Sequence, residues 1–216
     1  FESPFPYDKN VLLNIPTDAP APDDEQFQQF VNTAVTKLIE MTGGKTLVLF
    51  TSYESLKQTC AYARKQLPDM ELLQQGEDDR SRLLQTFKEH IDSSLFATAS
   101  FWAGIDVPGE ALSHVILVKL PFAVPSAPLF RARADAIEKR GGSSFMLLSV
   151  PEAVVQFRQG FGRLMRSQTD RGIVTLLDKR ALVKQYGRIF IDSIPKTKQC
   201  FASLEEIVYT VENFLY

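Results

Sequence analysis

Short apolar runs alternate with helical stretches along most of the chain, and this alternation most limits what it can fold into. The run at 46–50 is compact and apolar, as in a strand buried on both faces of a parallel sheet. The pattern predicts an α/β domain with a mainly parallel sheet flanked by helices on both faces. Further strand candidates lie at 70–74, 94–99, 114–119 and 173–177, and helical stretches at 55–67, 79–90, 126–140 and 151–167.

The remaining segments fit one continuous domain. Residues 17–25 are rich in proline and acidic residues and predict a surface loop. Apolar residues then recur at helical spacing from Phe27 to Ile39, and Gly43 and Gly44 end that pattern. No boundary is evident after residue 25, so 1–216 is expected to be a single domain. The segment 196–216 is predicted to be an amphipathic helical tail.

Composition limits the possible partners. The net charge of -2 gives no global attraction to nucleic acid, so any such binding must come from local groups. Two cysteines and two histidines offer no metal-ligand spacing, so no metal site is predicted, and a reducing, cytoplasmic setting is expected. No apolar run approaches the roughly 20 residues of a membrane span, so no membrane partner is expected. The start at Phe-Glu-Ser-Pro suggests a segment of a longer protein.

Two glycine-containing strings resemble nucleotide-binding motifs only superficially. Gly43-Gly44-Lys45-Thr46 looks like the end of a P-loop, but Ile39 stands where the first glycine is needed. A helix also precedes it and a strand follows, which favours a helix C-cap and turn. The string that begins Gly160-Phe161-Gly162 lacks the third glycine of a dinucleotide fingerprint and sits inside a helical pattern rather than after a strand.

The stretch from 156 to 166 carries the strongest chemical signal. On a helix at about 100° per residue, Gln159, Arg163 and Arg166 form a line on one face. Two guanidinium groups one turn apart suit phosphate oxygens, although an exposed basic surface would show the same pattern. Gly162 lies beside this line and would let a ligand approach closely. The opposite, apolar side comprises Val154, Phe157, Phe161 and Leu164.

Two other segments follow predicted strands, where ligands of parallel α/β sheets gather. Residues 99–110 crowd two aromatic residues, a glycine and an acid into one loop, which is either a ligand loop or a hydrophobic plug. Residues 51–53 carry hydroxyl groups that can donate to phosphate. They can also cap the following helix, which is the commoner role.

In order and spacing, these segments resemble the second RecA-like domain of superfamily 2 helicases of the DinG/XPD type. Residues 47–53 resemble motif IV, and 73–76 the short segment after it. Residues 99–109, with Phe-Trp-x-Gly-Ile-Asp-x-Pro-Gly, resemble motif V, and 159–166 resemble motif VI. The strings at 118–122 and 177–180 are also family-like. The resemblance covers roughly 3–195 and implies a RecA-like, P-loop-NTPase-type fold.

The resemblance also implies roles for individual residues. In such helicases motif VI faces ATP that the first RecA-like domain holds. Arg163 and Arg166 would contact the γ-phosphate, one of them as an arginine finger, and Gln159 would position the nucleotide or water. Candidates for the ATP side are Gly104, Asp106 and Gly162, with Asp106 linking that side to the DNA side. Candidates for contact with single-stranded DNA are Ser52, Tyr53, Gln75, Ser100 and Trp102.

The same resemblance places the P-loop, the acidic Mg²⁺-binding box and any iron–sulfur cluster outside this chain, in the first domain. The expected partners are that domain of the same polypeptide and single-stranded DNA, with ATP and Mg²⁺ held mainly by the first domain. The chain alone is expected to be inactive. Two alternatives are another superfamily 2 motor, such as an RNA helicase, and a catalytically inactive binding module. The string at 101–109 argues against the first, and the Gln159, Arg163 and Arg166 line against the second.

Overall fold

The computed structural model describes residues 5–98, 101, 112–123, 128–162, 164 and 170–215. The described strands are β1 (Val11–Pro16), β2 (Thr46–Phe50), β3 (Leu72–Gln74), β4 (Ser94–Thr98), β5 (His114–Leu117), β6 (Gly172–Leu176) and β7 (Lys198–Ala202). The described helices are α1 (Tyr7–Asn10), α2 (Phe27–Thr42), α3 (Tyr53–Gln66), α4 (Arg80–Glu89), α5 (Pro128–Glu138), α6 (Val150–Phe161), α7 (Arg180–Val183), α8 (Gly187–Asp192) and α9 (Leu204–Leu215). A π-helical turn, Phe145–Ser149, leads into α6.

The strands form one seven-stranded sheet in the order β3-β4-β2-β5-β6-β1-β7, and every pairing is parallel. Strand β2 pairs with β4 and β5, so that Thr46 lies opposite both Ser94 and His114. The predicted parallel α/β fold is therefore confirmed. Each of the five predicted strands is present, within about two residues of its expected bounds.

Helices cover both faces of the sheet because successive strand residues point to opposite sides. Leu47 and Leu49 of β2 join a core cluster that includes Phe157 of α6. Val48 and Phe50 join a second cluster, to which α2, α3 and α9 contribute buried side chains. None of the described helices combines the length and the hydropathy that a membrane span requires.

The prediction of one helix over 196–216 is wrong. Lys198–Ala202 forms β7, which pairs in parallel with β1 at the end of the sheet. Helix α9 starts only after Ser203, whose hydroxyl accepts from the Glu206 N–H while the Glu206 carboxylate accepts from the Ser203 N–H. This reciprocal pair is a capping box, which fixes where the helix begins. The apolar spacing therefore belongs to α9 alone, and α9 packs on α2, β1 and β7.

The Gly43-Gly44-Lys45 string ends α2, as predicted. Gly43 has φ 61 and Gly44 φ 87, and the Gly43 N–H donates to Glu40 and Ile39 carbonyls. A Cβ on Gly44 would lie 1.9 Å from the Asp92 carbonyl oxygen, so the close approach requires glycine there. The string is a tight helix-to-strand connection.

Three buried polar side chains interrupt the second core cluster. The Thr175 hydroxyl lies 2.9 Å from His114 Nε2 and 3.4 Å from Asn14 Nδ2. Among the described residues, no partner is found for His114 Nδ1 or Asn14 Oδ1. Burial lowers the pKa of His114 to about 3. The imidazole is therefore neutral at the core of the folded chain.

Acid should destabilise the fold through His114. Its pKa is about 3 when folded, against an ordinary value of 6.5, so between these values only the unfolded chain binds the proton. The free energy of unfolding should then fall by about 1.4 kcal/mol per pH unit below about 6.5. In urea unfolding, His114→Gln should make the loss between pH 7.5 and 4.5 smaller by ~2–3 kcal/mol.

The exposed His90 supplies a control of opposite sign. The Glu71 carboxylate hydrogen-bonds to its ring and raises the pKa of His90 in the folded chain. His90 therefore stabilises the fold in acid, and this contribution is lost as the pH rises through its folded pKa. His90→Gln should steepen the acid loss where His114→Gln flattens it. Identical pH profiles for wild type and His114→Gln would contradict the assignment.

Candidate functional site

The carboxyl ends of all seven strands meet at one edge of the sheet because every pairing is parallel. The order β3-β4-β2 makes three of these ends neighbours. Residues 51–53 follow β2, 75–76 follow β3, and the segment at 99–109 follows β4. The fold therefore brings residues 51–53 and 75–76, which the sequence singled out for DNA contact, next to the end of β4 at Thr98.

Gln75 holds these ends together. Its Oε1 accepts hydrogen bonds from the Thr98 N–H at 2.7 Å and the Thr98 hydroxyl at 3.0 Å. Its backbone N–H donates to the Phe96 carbonyl at 2.9 Å, and its carbonyl accepts from the Tyr53 hydroxyl at 2.9 Å. Among the described residues no acceptor is found for the Gln75 side-chain NH₂, which can donate to a ligand.

Ser52 caps α3, the commoner of the two roles weighed for it. Its Oγ accepts from the Ser55 N–H at 3.4 Å, and its side chain is exposed. A hydroxyl that accepts one hydrogen bond can still donate its proton, so capping leaves Ser52 able to contact phosphate. The Tyr53 ring is 41% exposed, and Lys57 Nζ lies 4.9 Å from its centroid.

Gly76 allows the close approach of Tyr53 to the end of β3. Its φ is 96, in the region that favours glycine. A Cβ there would lie 2.3 Å from the Tyr53 hydroxyl oxygen. The glycine in the family-like segment at 73–76 therefore has a steric reason, since a side chain would displace Tyr53.

Sequence reasoning missed Arg80. It is the first residue of α4, which Asp79 caps by accepting from the N–H groups of Ser81 and Arg82. Arg80 Nη2 donates to the Phe101 carbonyl at 3.1 Å, and its guanidinium lies 5.2 Å from the Phe101 ring centroid. It lines an open depression of about 270 Å³ together with Gln75, Gly76, Asp78 and Phe101. The sequence offered one signal for Arg80, namely its position shortly after the segment at 73–76 that contains Gln75.

Helix α6 presents Gln159 as predicted but ends earlier than predicted. The predicted apolar side is buried at Phe157, Phe161 and Leu164, while Gln159 is exposed in the last turn. The helix ends at Phe161, with Gly162 as its C-cap, so the predicted extension to 167 is wrong. Glycines at 160 and 162 weaken helix propensity by about 1 kcal/mol each, which favours this early end. Arg163 and Arg166 lie outside the described residues, so their predicted line with Gln159 stays a prediction.

Six predicted site residues lie outside the described part of the chain, and their roles stay predictions. Gly162 is described: it is exposed, has φ -69, and a Cβ on it would lie 3.3 Å from the Arg158 carbonyl oxygen. The six are Ser100, Trp102, Gly104, Asp106, Arg163 and Arg166.

Asp178 joins the connections after β5 and β6, a second feature that sequence reasoning did not assign to a site. Its fully buried carboxylate accepts from the Leu120 N–H at 3.0 Å and from Arg180 Nη2 at 2.6 Å. The Arg180 guanidinium in turn lies 5.6 Å from the Phe122 ring centroid. The two family-like strings at 118–122 and 177–180 thus form one clamp at the carboxyl edge.

Lys119, which belongs to the string at 118–122, contacts the loop at 17–25. Its Nζ donates to the Pro22 carbonyl at 3.0 Å and lies 4.9 Å from the Phe27 ring centroid. Burial lowers the pKa of Lys119, with the Arg180 charge adding to the effect. Across the described residues, no group of three His, Cys, Asp or Glu side chains is placed to hold a metal ion.

The sequence pattern of the helicase C-terminal domain family matches residues 35–197. The chain belongs to this family. It is similar to the ATP-dependent DNA helicase YoaA of Haemophilus influenzae, with 36% identity over 98% of this chain and 33% of the relative. It is also similar to the 3'-5' exonuclease DinG of Bacillus subtilis, with 38% identity over 91% of this chain and 22% of the relative. The ATP-dependent DNA helicase DinG of Photobacterium profundum is 39% identical over 91% of this chain and 29% of the relative.

This helicase C-terminal domain therefore spans only about a third or less of the length of those relatives. Among solved structures, one titled XPD helicase has a TM-score of 0.62 at 19% identity, over 89% of this chain and 35% of that one. Saccharomyces cerevisiae Dbp5 bound to RNA and ADP BeF3 has a TM-score of 0.59 at 13% identity, over 97% of this chain and 46% of that one. At these identities the likeness shows the RecA-like fold.

Proposed function

We propose that this chain is the second motor domain of an ATP-dependent DNA helicase of the DinG type. In this proposal it supplies arginine side chains to ATP held by the first motor domain and a contact surface to single-stranded DNA. The observation that carries the proposal is the junction built by Gln75, which bonds to Tyr53 after β2 and to Thr98 at the end of β4. A ligand that runs along this carboxyl edge would meet the ends of all three strands, β2, β3 and β4.

On the ATP side, Arg163 and Arg166 act at the γ-phosphate. A guanidinium offsets the charge of the phosphoryl group as it is transferred, which is the main source of catalysis in such reactions. Gln159 positions the nucleotide or the attacking water from the exposed side of α6. Gly104, Asp106 and Gly162 complete this side, and Asp106 links it to the DNA side.

ATP and Mg²⁺ are held mainly by the first motor domain, outside this chain. The Gly43-Gly44-Lys45-Thr46 string supports that division, since its glycines end a helix before a strand rather than cradle a phosphate before a helix. Bound Mg²⁺ neutralises phosphate charge. The isolated chain is accordingly inactive as an ATPase and as a helicase.

On the DNA side, the phosphate backbone of single-stranded DNA contacts hydrogen-bond donors at the carboxyl edge of the sheet. The Ser52 hydroxyl and the Gln75 NH₂ donate to phosphates, and Arg80 adds a permanent charge beside them. Tyr53, Ser100 and Trp102 offer a hydroxyl and rings for phosphate contact or base stacking. Local donors of this kind reconcile DNA binding with the net charge of -2.

Arg80→Ala tests the DNA side in the full-length protein. A lost charge-assisted hydrogen bond to phosphate should weaken binding to a single-stranded oligonucleotide by about tenfold. The slope of log affinity against log salt should also fall by about 0.7, the value for one phosphate contact on a single strand. Fluorescence anisotropy across a salt series measures both quantities.

Arg82→Ala is the matched control for this test. Arg82 lies on the same helix, its side chain is 74% exposed, and it pairs loosely with Asp78 and Asp79. Its removal changes the net charge as Arg80→Ala does but should leave the affinity within about twofold, since exposed pairs contribute little. Equal losses in the two variants would mean a general charge effect and would contradict the placement of DNA at Arg80.

A further inference from the structure

Helix α5 has little packing support from the described fold. None of its side chains is buried, and the same holds for the π-helical turn that follows it. An isolated helix of this length is marginal in water, because most helical stability in proteins comes from packing. The geometry therefore points to a partner that covers α5.

A continuous surface runs from α5 across to α6. Arg133 Nη1 lies 3.7 Å from Glu152 Oε1, which shows that the two helices lie side by side. Ile137 and Leu147 both converge on Gly142, where an added Cβ would lie 2.9 Å from each side chain. Because Ile137 lies near Leu147 in the π-helical turn while the earlier Arg133 lies by the later Glu152, α5 runs antiparallel to the turn and α6.

This arrangement extends the surface towards Gln159. Leu129 precedes Arg133 by one turn, so it is placed towards the C-terminal half of α6. Glu152, Val155 and Gln159 follow one another at i, i+3 and i+7, which puts them on one stripe of α6. The residues Leu129, Arg133, Leu147, Glu152 and Val155 are called the α5–α6 face below.

The α5–α6 face is apolar where it is most exposed. Leu129 is 66% exposed, Leu147 62% and Val155 52%, with Met146 at 42% beside them. Apolar residues clustered on a surface mark contacts with protein, whereas nucleic-acid contacts are polar and basic. Aromatic contacts fix the π-helical turn beside this face: the Phe145 ring centroid lies 5.4 Å from that of Phe122 and 5.1 Å from that of Tyr186.

We propose that the α5–α6 face is the surface on which the first motor domain of the same polypeptide docks, an inference that rests on the proposed function. Gln159 faces that domain in the proposed function, and the face continues the stripe on which Gln159 lies. The partner is available in the same polypeptide, because this chain covers 33% of the YoaA relative and about two thirds of that protein lies outside the match. Docking covers α5 and carries α6, with Gln159, to the nucleotide.

Thiol labelling of the full-length protein tests this surface. Leu129→Cys and Val155→Cys report on the face, and Tyr209→Cys is the control, because Tyr209 is 68% exposed on α9, across the sheet from α6. Iodoacetamide labelling of each peptide is followed by mass spectrometry, and each rate is divided by its rate in denaturant. With a non-hydrolysable ATP analogue bound, positions 129 and 155 should label at least fivefold more slowly than position 209.

Smaller protection than fivefold at either position would overturn the proposal. Protection that requires single-stranded DNA and occurs without nucleotide would also overturn it, because nucleic acid would then be the occupant. Protection that needs no DNA and is the same with and without nucleotide supports the proposal, because the interface is then constant. Loss of ATP turnover in Arg166→Ala tests the proposed function separately. If turnover depends on Arg166 while positions 129 and 155 stay reactive, only the docking surface is wrong.

Discussion

Replacing Arg163 or Arg166 by alanine in the full-length protein should lower DNA-stimulated ATP hydrolysis by at least about a hundredfold, since arginine fingers contribute about 10³–10⁵ in rate. The loss should fall on kcat, because a guanidinium at the phosphoryl group acts most strongly as charge develops in the transition state. Steady-state turnover at saturating single-stranded DNA measures it. Affinity for the oligonucleotide should stay within about twofold of wild type, because the proposed DNA contacts are made by other residues.

Arg158→Ala is the control for those two variants. Arg158 is an exposed arginine in the last turn of α6, outside the motif VI string, so its removal should change turnover by less than about twofold. Unchanged turnover in Arg163→Ala and Arg166→Ala would make that segment an ordinary basic surface and would refute the motif VI assignment. Hydrolysis by the isolated chain that is lost in Arg166→Ala would refute the need for the first motor domain.

The central strands could be predicted because burial on both faces leaves little freedom in their composition. Thr46–Phe50 has the predicted bounds, and its residues alternate between two core clusters. β7 could not be predicted in this way. It pairs on one side only and mixes exposed with half-buried residues, so no apolar run marks it. β1 was not predicted either, although it is fully buried. Asn14 interrupts its apolar run, and the Asn14 amide bonds to Thr175 on the neighbouring strand β6.

The site was predictable where it depends on the order of motifs and not where it depends on tertiary contacts. Parallel topology alone places Ser52, Tyr53 and Gln75 at one edge. The roles of Arg80 and Asp178 depend on partners about 20 and 58 residues away in the chain, Phe101 and Leu120, which no local pattern indicates. The extent of α6 was overestimated because helical periodicity continues past the two glycines that end the helix.

Adjacent glycines at the end of α2 should respond very differently to alanine. Gly44 has φ +87, and a Cβ there would lie 1.9 Å from the Asp92 carbonyl oxygen, a backbone atom that cannot move aside cheaply. Left-handed strain and overpacking together should cost about 3 kcal/mol or more in Gly44→Ala. Gly43 has φ +61 with nothing within 4 Å of the added Cβ, so Gly43→Ala should cost only about 1 kcal/mol. Urea unfolding of both variants gives the two free energies.

The same segment separates a structural turn from a phosphate site. In a P-loop the lysine reaches the phosphates, so its removal would abolish hydrolysis with little effect on folding. Here the Lys45 carbonyl accepts from the N–H groups of Ser113 and His114, so its backbone carries the contact. Lys45→Ala should therefore leave ATP turnover of the full-length protein within about twofold of wild type. Equal destabilisation of Gly43→Ala and Gly44→Ala would contradict the tight turn. Loss of turnover in Lys45→Ala would restore this string as a candidate nucleotide site.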